Sequence, residues 1–300
     1  MSRRRFIWTA KQLDKLNRAQ EILGELREYV PLTLRQVFYQ MVGKEYIENT
    51  KPEYQMLSIL IKWARIDEFI PWEMIEDRVR AFHDFSGLKT KEEYIWQELR
   101  EFLGRYRRDI LQTQDKYLEV WIEKDALSSL FSKVCYPYTV PVVVCRGFSS
   151  VSFLNDFRER LSQREDKVPV MLYFGDFDPS GVEMLDAMKI TLKEELRIDD
   201  IVFKRIALLK EDIFTYKLPH NPFALKKTDT RARKHIERYG ELAVELDAMR
   251  PDILEGRIKQ AIGAELDIPA FNREVRAERQ ELGELKRIKK KTEAFIKTVC

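Results

Sequence analysis

Cysteine and histidine are scarce in this sequence, and their positions exclude several kinds of site. Among 300 residues there are three cysteines and three histidines. The cysteines have neither zinc-ligand spacing nor a pattern that would indicate a disulfide framework. The histidines are isolated, so neither a histidine zinc site nor a catalytic triad is indicated. These residues are Cys135, Cys145, Cys300, His83, His220 and His235.

Long apolar runs and glycine-rich nucleotide motifs are also missing. No stretch reaches the roughly 18 apolar residues that a membrane-spanning helix needs, and no signal peptide is recognisable. We therefore expect a soluble, cytoplasmic protein without membrane contact, nucleoid-associated if its source is prokaryotic. The sequence contains no glycine-rich loop for a nucleotide, no internal repeat and no low-complexity segment.

A strong excess of one charge is absent as well. Charged residues make up 34% of the chain, yet the net charge is only +3. This balance is too mild to indicate nucleic-acid binding, so affinity for DNA would have to come from local basic patches. Candidates are residues 3–5, 105–108 and 286–291, although such runs are commonly solvated faces. The length predicts about two domains.

The most informative segment present is Met171–Gly181, which reads Met-Leu-Tyr-Phe-Gly-Asp-Phe-Asp-Pro-Ser-Gly. The apolar run Val168–Phe174 has the length of a buried strand, and the Pro-Ser-Gly turn ends it. Asp176 and Asp178 are two apart, so in an extended segment they point the same way. Two close carboxylates favour a cation between them, and hard oxygen ligands suit Mg²⁺. A surface turn rich in Asp, Pro and Gly is the alternative.

Two further apolar runs precede this segment and predict a sheet. The first begins at Tyr117 and ends in Glu123, and the second, from Val140, ends before Arg146. Helical patterns over 127–134 and 154–161 separate the runs. The order strand, helix, strand, helix, strand predicts a doubly wound α/β unit with a mostly parallel sheet.

Ligands of such sheets bind outside the carboxyl ends of the strands. Glu123, Arg146, Asp176 and Asp178 all fall at such ends. We therefore expect Glu123, Asp176 and Asp178 to converge as a Mg²⁺ site, with Mn²⁺ as an alternative ion.

A helix in the amino-terminal third carries a second candidate group. Pro31–Val42 predicts a helix capped by Thr33, with apolar residues gathered on one face. Tyr39 falls outside that apolar arc, and Arg35 lies one turn before it on the same side. Tyr39 is either an interface or half-buried tyrosine, or a nucleophile beside a phosphate-binding arginine. A phenol with a pKa of about 10 needs a nearby cation or base to act as a nucleophile.

These segments together resemble the topoisomerase VI A subunits and the meiotic double-strand-break proteins. Residues 122–126 (Ile-Glu-Lys-Asp-Ala), 145–148 (Cys-Arg-Gly-Phe) and 175–181 (Gly-Asp-Phe-Asp-Pro-Ser-Gly) look like the family's Toprim domain. Residues 34–39 match the Arg-x-x-x-Tyr helix of its winged-helix domain. The resemblance spans roughly residues 30–265, and it is strongest to the compact Mini-A type.

The resemblance implies an α/β chain of two domains. Residues 1–110 would form a helical winged-helix DNA-binding domain, and residues 111–300 a Toprim domain with a helical carboxyl-terminal extension. Glu123, Asp176 and Asp178 would hold the metal ion.

The resemblance also implies a DNA-cleaving enzyme of the type IIB topoisomerase kind. Tyr39 would attack DNA and form a 5′-phosphotyrosine link. Arg35 would neutralise the phosphate and lower the pKa of the phenol. Arg146 and Lys124 would contact the DNA backbone.

The expected partners are double-stranded DNA and a second copy of the chain in a homodimer. An ATPase B-type subunit is a further candidate partner, and action without such a subunit is the equal alternative. In the family that the chain resembles, the tyrosine of one protomer approaches the Toprim site of the other.

Other functions stay open at this point. The Asp-x-Asp motif after a strand also occurs in haloacid-dehalogenase-type phosphatases, but there it normally opens the fold, whereas here a complete strand precedes it. A Toprim-type metal-dependent nuclease, or a non-cleaving DNA-binding accessory protein, would leave Tyr39 without a covalent role.

The remaining sequence yields expectations about single elements. We expect helices over 54–66, 89–111 and 271–300, a strand over 201–208, and a loop over 218–230. Glu245 and Asp247 lie in a segment that resembles the family's Glu-x-Asp-Ala motif. We expect them to form a structural acidic turn rather than part of the site.

Overall fold

The computed structural model describes residues 6–76, 90–145, 150–164, 166–221, 224–225 and 230–299, and these form an α/β protein. The strands are β1 (Leu32–Thr33), β2 (Ile75–Glu76), β3 (Lys116–Ile122), β4 (Val142–Val144), β5 (Val168–Phe174) and β6 (Val202–Ala207). The helices are α1 (Ala10–Glu25), α2 (Leu34–Gly43), α3 (Lys51–Ile66), α4 (Lys91–Glu101), α5 (Ser128–Cys135), α6 (Val151–Ser162), α7 (Pro179–Ile190), α8 (Lys210–Thr215), α9 (Thr230–Tyr239), α10 (Pro251–Gly263) and α11 (Ile268–Val299).

The main sheet has the strand order β4-β3-β5-β6, and every neighbouring pair is parallel. Helices α5, α6 and α7 follow β3, β4 and β5 in the chain. The predicted alternation of strands and helices, with a parallel sheet, is therefore confirmed. The two strands that carry the acidic motifs, β3 and β5, are direct neighbours, with Ile122 opposite Phe174.

Apolar side chains cover both faces of this sheet. Leu118, Val120 and Leu172 point to one side, into a large core shared with the amino-terminal helices. Trp121 and Tyr173 point to the other side, into a smaller core formed with α6 and α7. Because both faces are buried, the strands read as near-continuous apolar runs in the sequence.

The amino-terminal helices pack against the sheet rather than standing apart from it. Helix α2 begins as predicted at Thr33, whose hydroxyl oxygen accepts the backbone N–H of Gln36 at 3.2 Å. The side chain of Gln36 in turn accepts the N–H of Thr33 at 2.8 Å, which completes a capping box. Helix α2 is buried on more than its apolar face, since Gln36, Tyr39 and Gln40 are buried as well.

Two expected elements differ in length from their sequence predictions. The helix expected over 89–111 is shorter, because α4 ends at Glu101 and Leu103 takes a left-handed conformation with φ of 58°. A non-glycine residue with positive φ cannot continue a right-handed helix. The carboxyl-terminal helix α11 begins at Ile268, slightly before the expected start.

Strand β6 confirms the strand expected near 201–208, and α3 contains the helix expected over 54–66. Part of the expected loop over 218–230 lies outside the described residues. None of the described helices combines the length and apolar character that a membrane crossing would need.

Candidate active site

The ends of β3 and β5 place two acidic side chains against each other. The backbone N–H of Glu123 donates to the carbonyl of Phe174 at 3.0 Å, so the β3 ladder runs one residue past the strand. The backbone N–H of Asp176 then donates to Oε2 of Glu123 at 2.9 Å. Glu123 and Asp176 therefore meet at the carboxyl edge of the sheet, as their topology predicted.

Asp178 belongs to the same edge and starts helix α7. Its Oδ1 accepts the backbone N–H of Gly181 at 2.7 Å, which caps the helix. A Cβ at Gly181 would lie 2.5 Å from the carbonyl oxygen of Asp176 and 2.9 Å from Oε2 of Glu123. Only glycine allows α7 to approach the two acidic segments this closely.

Arg205, on β6, binds the backbone of the acidic loop, which comprises residues 175–178. Its guanidinium donates to the carbonyls of Leu208 at 2.9 Å, of Gly181 at 3.2 Å and of Gly175 at 3.3 Å, and also to the carbonyl of Asp176. Burial lowers the pKa of Arg205. The sequence analysis missed this residue, which follows Lys204 within strand β6.

Two carboxylates at this edge, those of Glu123 and Asp176, have raised pKa values. Burial raises the pKa of Glu123, and the nearby charge of Asp178 raises it further. Burial also raises the pKa of Asp176, against the opposing effect of the Lys124 ammonium. Crowded carboxylates with raised pKa values are typical of a site that attracts a cation.

Lys124 provides such a cation from within the chain. Its Nζ lies 3.0 Å from Oδ2 of Asp176, 2.7 Å from Oε2 of Glu245 and 3.1 Å from Oδ2 of Asp247. These carboxylates raise the pKa of Lys124 although burial opposes them. Lys124 was expected to contact DNA, and here its ammonium is engaged by carboxylates with 19% of the side chain exposed.

Glu245 joins the sheet edge to helix α2. Its carboxylate accepts Arg35 Nη1 at 2.6 Å, Lys124 Nζ at 2.7 Å and Asn221 Nδ2 at 2.8 Å. The charge of this carboxylate also acts on Tyr39, where it raises the pKa of the phenol. The cations that surround it, first Lys124 and then Arg35, lower the pKa of Glu245 although burial opposes them.

Glu245 and Asp247 lie at the expected turn, and the position of that turn also brings their carboxylates to Lys124. The turn Leu246–Ala248 is tied to the acidic loop because the N–H of Leu246 donates to Oδ1 of Asp176 at 2.8 Å. This bond brings Glu245 and Asp247 to Lys124. The resemblance to the Glu-x-Asp-Ala motif was the signal that pointed to this position.

Tyr39 is more enclosed than the helix pattern indicated. The residue is only 4% exposed, because the side of α2 that carries it packs against the turn Leu246–Ala248. Burial raises the pKa of the Tyr39 phenol, and Glu245 raises it further. Arg35 lowers that pKa as predicted, but its effect is outweighed. Tyr39 and Arg35 meet Glu245 and Lys124 within one chain, so the cluster does not need a second protomer.

The described structure brings most of the predicted site residues into one cluster. Arg35, Tyr39, Lys124, Glu123 and Asp176 are connected through direct contacts or through Glu245, and Asp178 adjoins Glu123 across Gly181. Arg146 lies outside the described residues. Within the described residues, no group of three or more His, Cys, Asp or Glu side chains is arranged to hold a metal ion.

The side-chain oxygens of Asp176, Glu123 and Asp178 differ in the number of protein groups that they contact. Both oxygens of Asp176 have protein partners, the N–H of Leu246 and the ammonium of Lys124. Glu123 and Asp178 each use one oxygen to accept a backbone N–H. No hydrogen bond or ion pair within the described chain uses their second oxygens. Mg²⁺ is commonly held by one or two carboxylates together with waters and phosphate oxygens, and this pair fits that pattern.

One of the predicted basic patches is partly neutralised within the protein. Arg108 lies 2.7 Å from Glu274 and 2.6 Å from Glu281 of α11, and Arg105 pairs with Glu101. Arg108 therefore helps to hold the carboxyl-terminal helix in place, whereas Arg107 donates to the hydroxyl of Tyr136. The patch at 3–5 lies outside the described residues.

No protein-family model matches the chain, and a search of curated proteins finds no significant relative. The family that the motifs resemble therefore remains a proposal that depends on the residues and on this geometry.

Replacing Gly181 by alanine should destabilise the protein by about 1–3 kcal/mol, because the added methyl group overlaps a backbone carbonyl and a buried carboxylate. Urea unfolding followed by circular dichroism measures the change. Gly283→Ala is the matched control, since a Cβ on Gly283 meets nothing within 4 Å in the long helix. That change should stabilise by up to about 1 kcal/mol. Equal stability changes in the two variants would contradict the packing described at Gly181.

Proposed function

We propose that the chain cleaves double-stranded DNA through Tyr39, in the manner of a type IIB topoisomerase A subunit. Residues 1–110 would be the winged-helix DNA-binding domain, and residues 111–300 the Toprim domain with its carboxyl-terminal extension. One observation carries the proposal. Arg35, on the same helix as Tyr39, shares the carboxylate of Glu245 with Lys124, which follows strand β3. The tyrosine motif and the acidic motif, far apart in sequence, therefore form one site.

The proposed reaction is a transesterification. The phenol oxygen of Tyr39 attacks a DNA phosphorus and forms a P–O bond, while the bond from that phosphorus to the 3′ oxygen breaks. The phenol's proton is, in net, taken up by the departing 3′ oxygen. The products are a 5′-phosphotyrosine link and a 3′ hydroxyl, and the reverse reaction reseals the strand without ATP.

The cations of the site would balance the charge of the phosphate. The guanidinium of Arg35 is 43% exposed and can be reached by a DNA backbone, whereas Lys124 lies deeper. Fixed cations aimed at a phosphate stabilise the charge that develops in the transition state. Arg146 would contact the same backbone.

A divalent ion is proposed for the acidic edge of the sheet. Glu123 and Asp178 would hold Mg²⁺ or Mn²⁺, with Asp176 as a further ligand once Lys124 releases it. When bound, such an ion supplies Lewis-acid stabilisation of phosphate oxygens. Glu123 and Asp178 lie on either side of Gly181, and each crowds the other in the absence of a cation.

The proposed partners follow from the chemistry. One tyrosine cuts one strand, so a double-strand break needs two protomers, and a homodimer on DNA meets this need. Passage of a second duplex through the break would need an ATPase B-type subunit, which the family that the chain resembles supplies as a separate protein.

A metal-dependent Toprim nuclease is the second candidate function. The burial of Tyr39 favours it, since a 4% exposed phenol must be uncovered before it can reach a phosphate. In that reaction a water would attack the phosphodiester, and Tyr39 would only pack between α2 and the sheet edge.

The variant Tyr39→Phe separates the two functions. It removes only the hydroxyl, so folding and DNA binding should persist. The yield of DNA covalently attached to protein should fall on the order of 10³-fold or more, because the nucleophile is lost. The assay uses supercoiled and 5′-labelled DNA with Mg²⁺ or Mn²⁺, stopped with denaturant.

Tyr46→Phe is the control for this experiment. The hydroxyl of Tyr46 bonds to Glu21 at 2.8 Å at an exposed position away from the sheet edge. This variant should cleave as the wild type does. Cleavage by Tyr39→Phe at the wild-type rate, with free 5′ ends, would instead establish the nuclease.

Metal binding can be measured apart from cleavage. By calorimetry with Mg²⁺ and Mn²⁺, Glu123→Gln and Asp178→Asn should each weaken the affinity by at least about tenfold, because each removes a charged oxygen ligand. Asp186→Asn removes an exposed carboxylate from the same helix α7 and should leave the affinity unchanged. Equal affinities in all of these variants and the wild type would remove Glu123 and Asp178 from the metal site.

A further inference from the structure

Three hydrogen-bond donors converge on the carboxylate of Glu245. Arg35 and Lys124 reach Oε2 at 2.6 and 2.7 Å, and the amide of Asn221 reaches Oε1 at 2.8 Å. Lys124 is shared with the carboxylates of Asp176 and Asp247. Two cations and an amide N–H directed at one carboxylate are donors of the kind that hold a phosphate.

These donors come from distant parts of the chain and converge at Glu245. Arg35 lies on α2 together with Tyr39, Lys124 follows β3, and Asn221 lies in the segment after α8. The backbone of that segment is fixed, since the N–H of Asn221 donates to the carbonyl of Ala243 at 2.7 Å. The donors are therefore positioned by the fold and not by Glu245 alone.

The carboxylate of Glu245 is held in this pocket and shielded. Its side chain is 12% exposed, and its backbone position is fixed by the bridge between Phe177 and Val244 and by the bond from Leu246 to Asp176. An anion arriving from solvent can meet the exposed side of Arg35, but the inner donors are already occupied. An anion that binds there must displace the carboxylate of Glu245.

We propose that Arg35, Lys124 and Asn221 form a phosphate-binding subsite, beside Tyr39 on helix α2, that the carboxylate of Glu245 fills from within. This inference rests on the proposed function, in which the incoming phosphate belongs to DNA. Glu245 then acts as an internal competitor that keeps Tyr39 covered until a phosphodiester replaces it. While the carboxylate of Glu245 fills the subsite beside Tyr39, the phenol does not attack a free phosphate.

The alternative role of Glu245, a base that removes the phenol proton, is less well supported by the same contacts. A carboxylate that already accepts from two cations and an amide has little remaining affinity for a proton. Donors crowd around it as they would around a bound anion. The two roles make opposite predictions for the loss of the charge at position 245.

The test replaces Glu245 by glutamine, which has nearly the same shape without the charge. Glu241→Gln is the matched control, since it removes the same charge from an exposed side chain in the same segment. Thermal unfolding is followed while inorganic phosphate or sulfate replaces chloride at constant ionic strength. Glu245→Gln should gain a saturable rise in Tm with phosphate and sulfate that the wild type and Glu241→Gln lack.

A second readout uses duplex DNA without a metal ion, so that no cleavage occurs. Glu245→Gln should bind the duplex about tenfold more tightly than the wild type, because the internal competitor is gone. Glu241→Gln should stay within about twofold of the wild type, since an exposed charge is screened. No anion-specific rise in Tm, or DNA binding by Glu245→Gln no tighter than by Glu241→Gln, would overturn the proposal.

Glu245→Gln leaves Arg35 without its carboxylate partner, and one outcome of the test is a variant that does not fold in chloride buffer. In that case phosphate or sulfate should restore its folded circular dichroism spectrum at an ionic strength where chloride does not. A variant that stays unfolded in all of these salts would contradict the subsite. The anion titration is independent of cleavage, so an inactive Tyr39 would refute the proposed function and leave this result standing.

Discussion

The pairing of Glu245 with Arg35 and Lys124 is the contact on which the site depends. It joins helix α2 to the carboxyl edge of the sheet across more than 200 residues of chain, with Arg35 Nη1 2.6 Å from Oε2 of Glu245. Removing one partner of a buried ion pair commonly costs about 3–5 kcal/mol, and the contact of Glu245 with Lys124 is largely buried. Arg35 is 43% exposed, so its loss should cost less. The pairing therefore fixes where Tyr39 lies relative to the acidic strand ends.

Carboxylates and cations lie close together around this pairing. Carboxylates crowd the ends of β3 and β5, and burial raises the pKa values of Glu123 and Asp176. Lys124 offsets part of that charge from within, and Arg205 holds the backbone of the acidic loop through its carbonyls. In the proposed function, the carboxylates of this edge would hold a divalent ion and its cations would contact a phosphate.

Sequence patterns predicted the parts of the structure that depend on local order. Apolar runs ended by Glu123 and Asp176 located the strands and their carboxyl ends, and Thr33 located the start of α2. Tertiary packing decided the rest. The helical period of α2 shows its apolar face, but the burial of Tyr39 depends on a turn 200 residues further along the chain. Neither Glu245 nor Arg205 has a neighbour in sequence that would reveal its partners.

The central claim is that helix α2 and the sheet edge form one site through Glu245. A double-mutant cycle with Arg35→Gln and Glu245→Gln, read by urea unfolding, measures this contact most directly. The cycle should give a coupling free energy of about 1–3 kcal/mol, as expected for a charge-assisted hydrogen bond of limited exposure. Additive effects, with a coupling indistinguishable from zero, would contradict the account by showing that α2 is held at the sheet by other contacts.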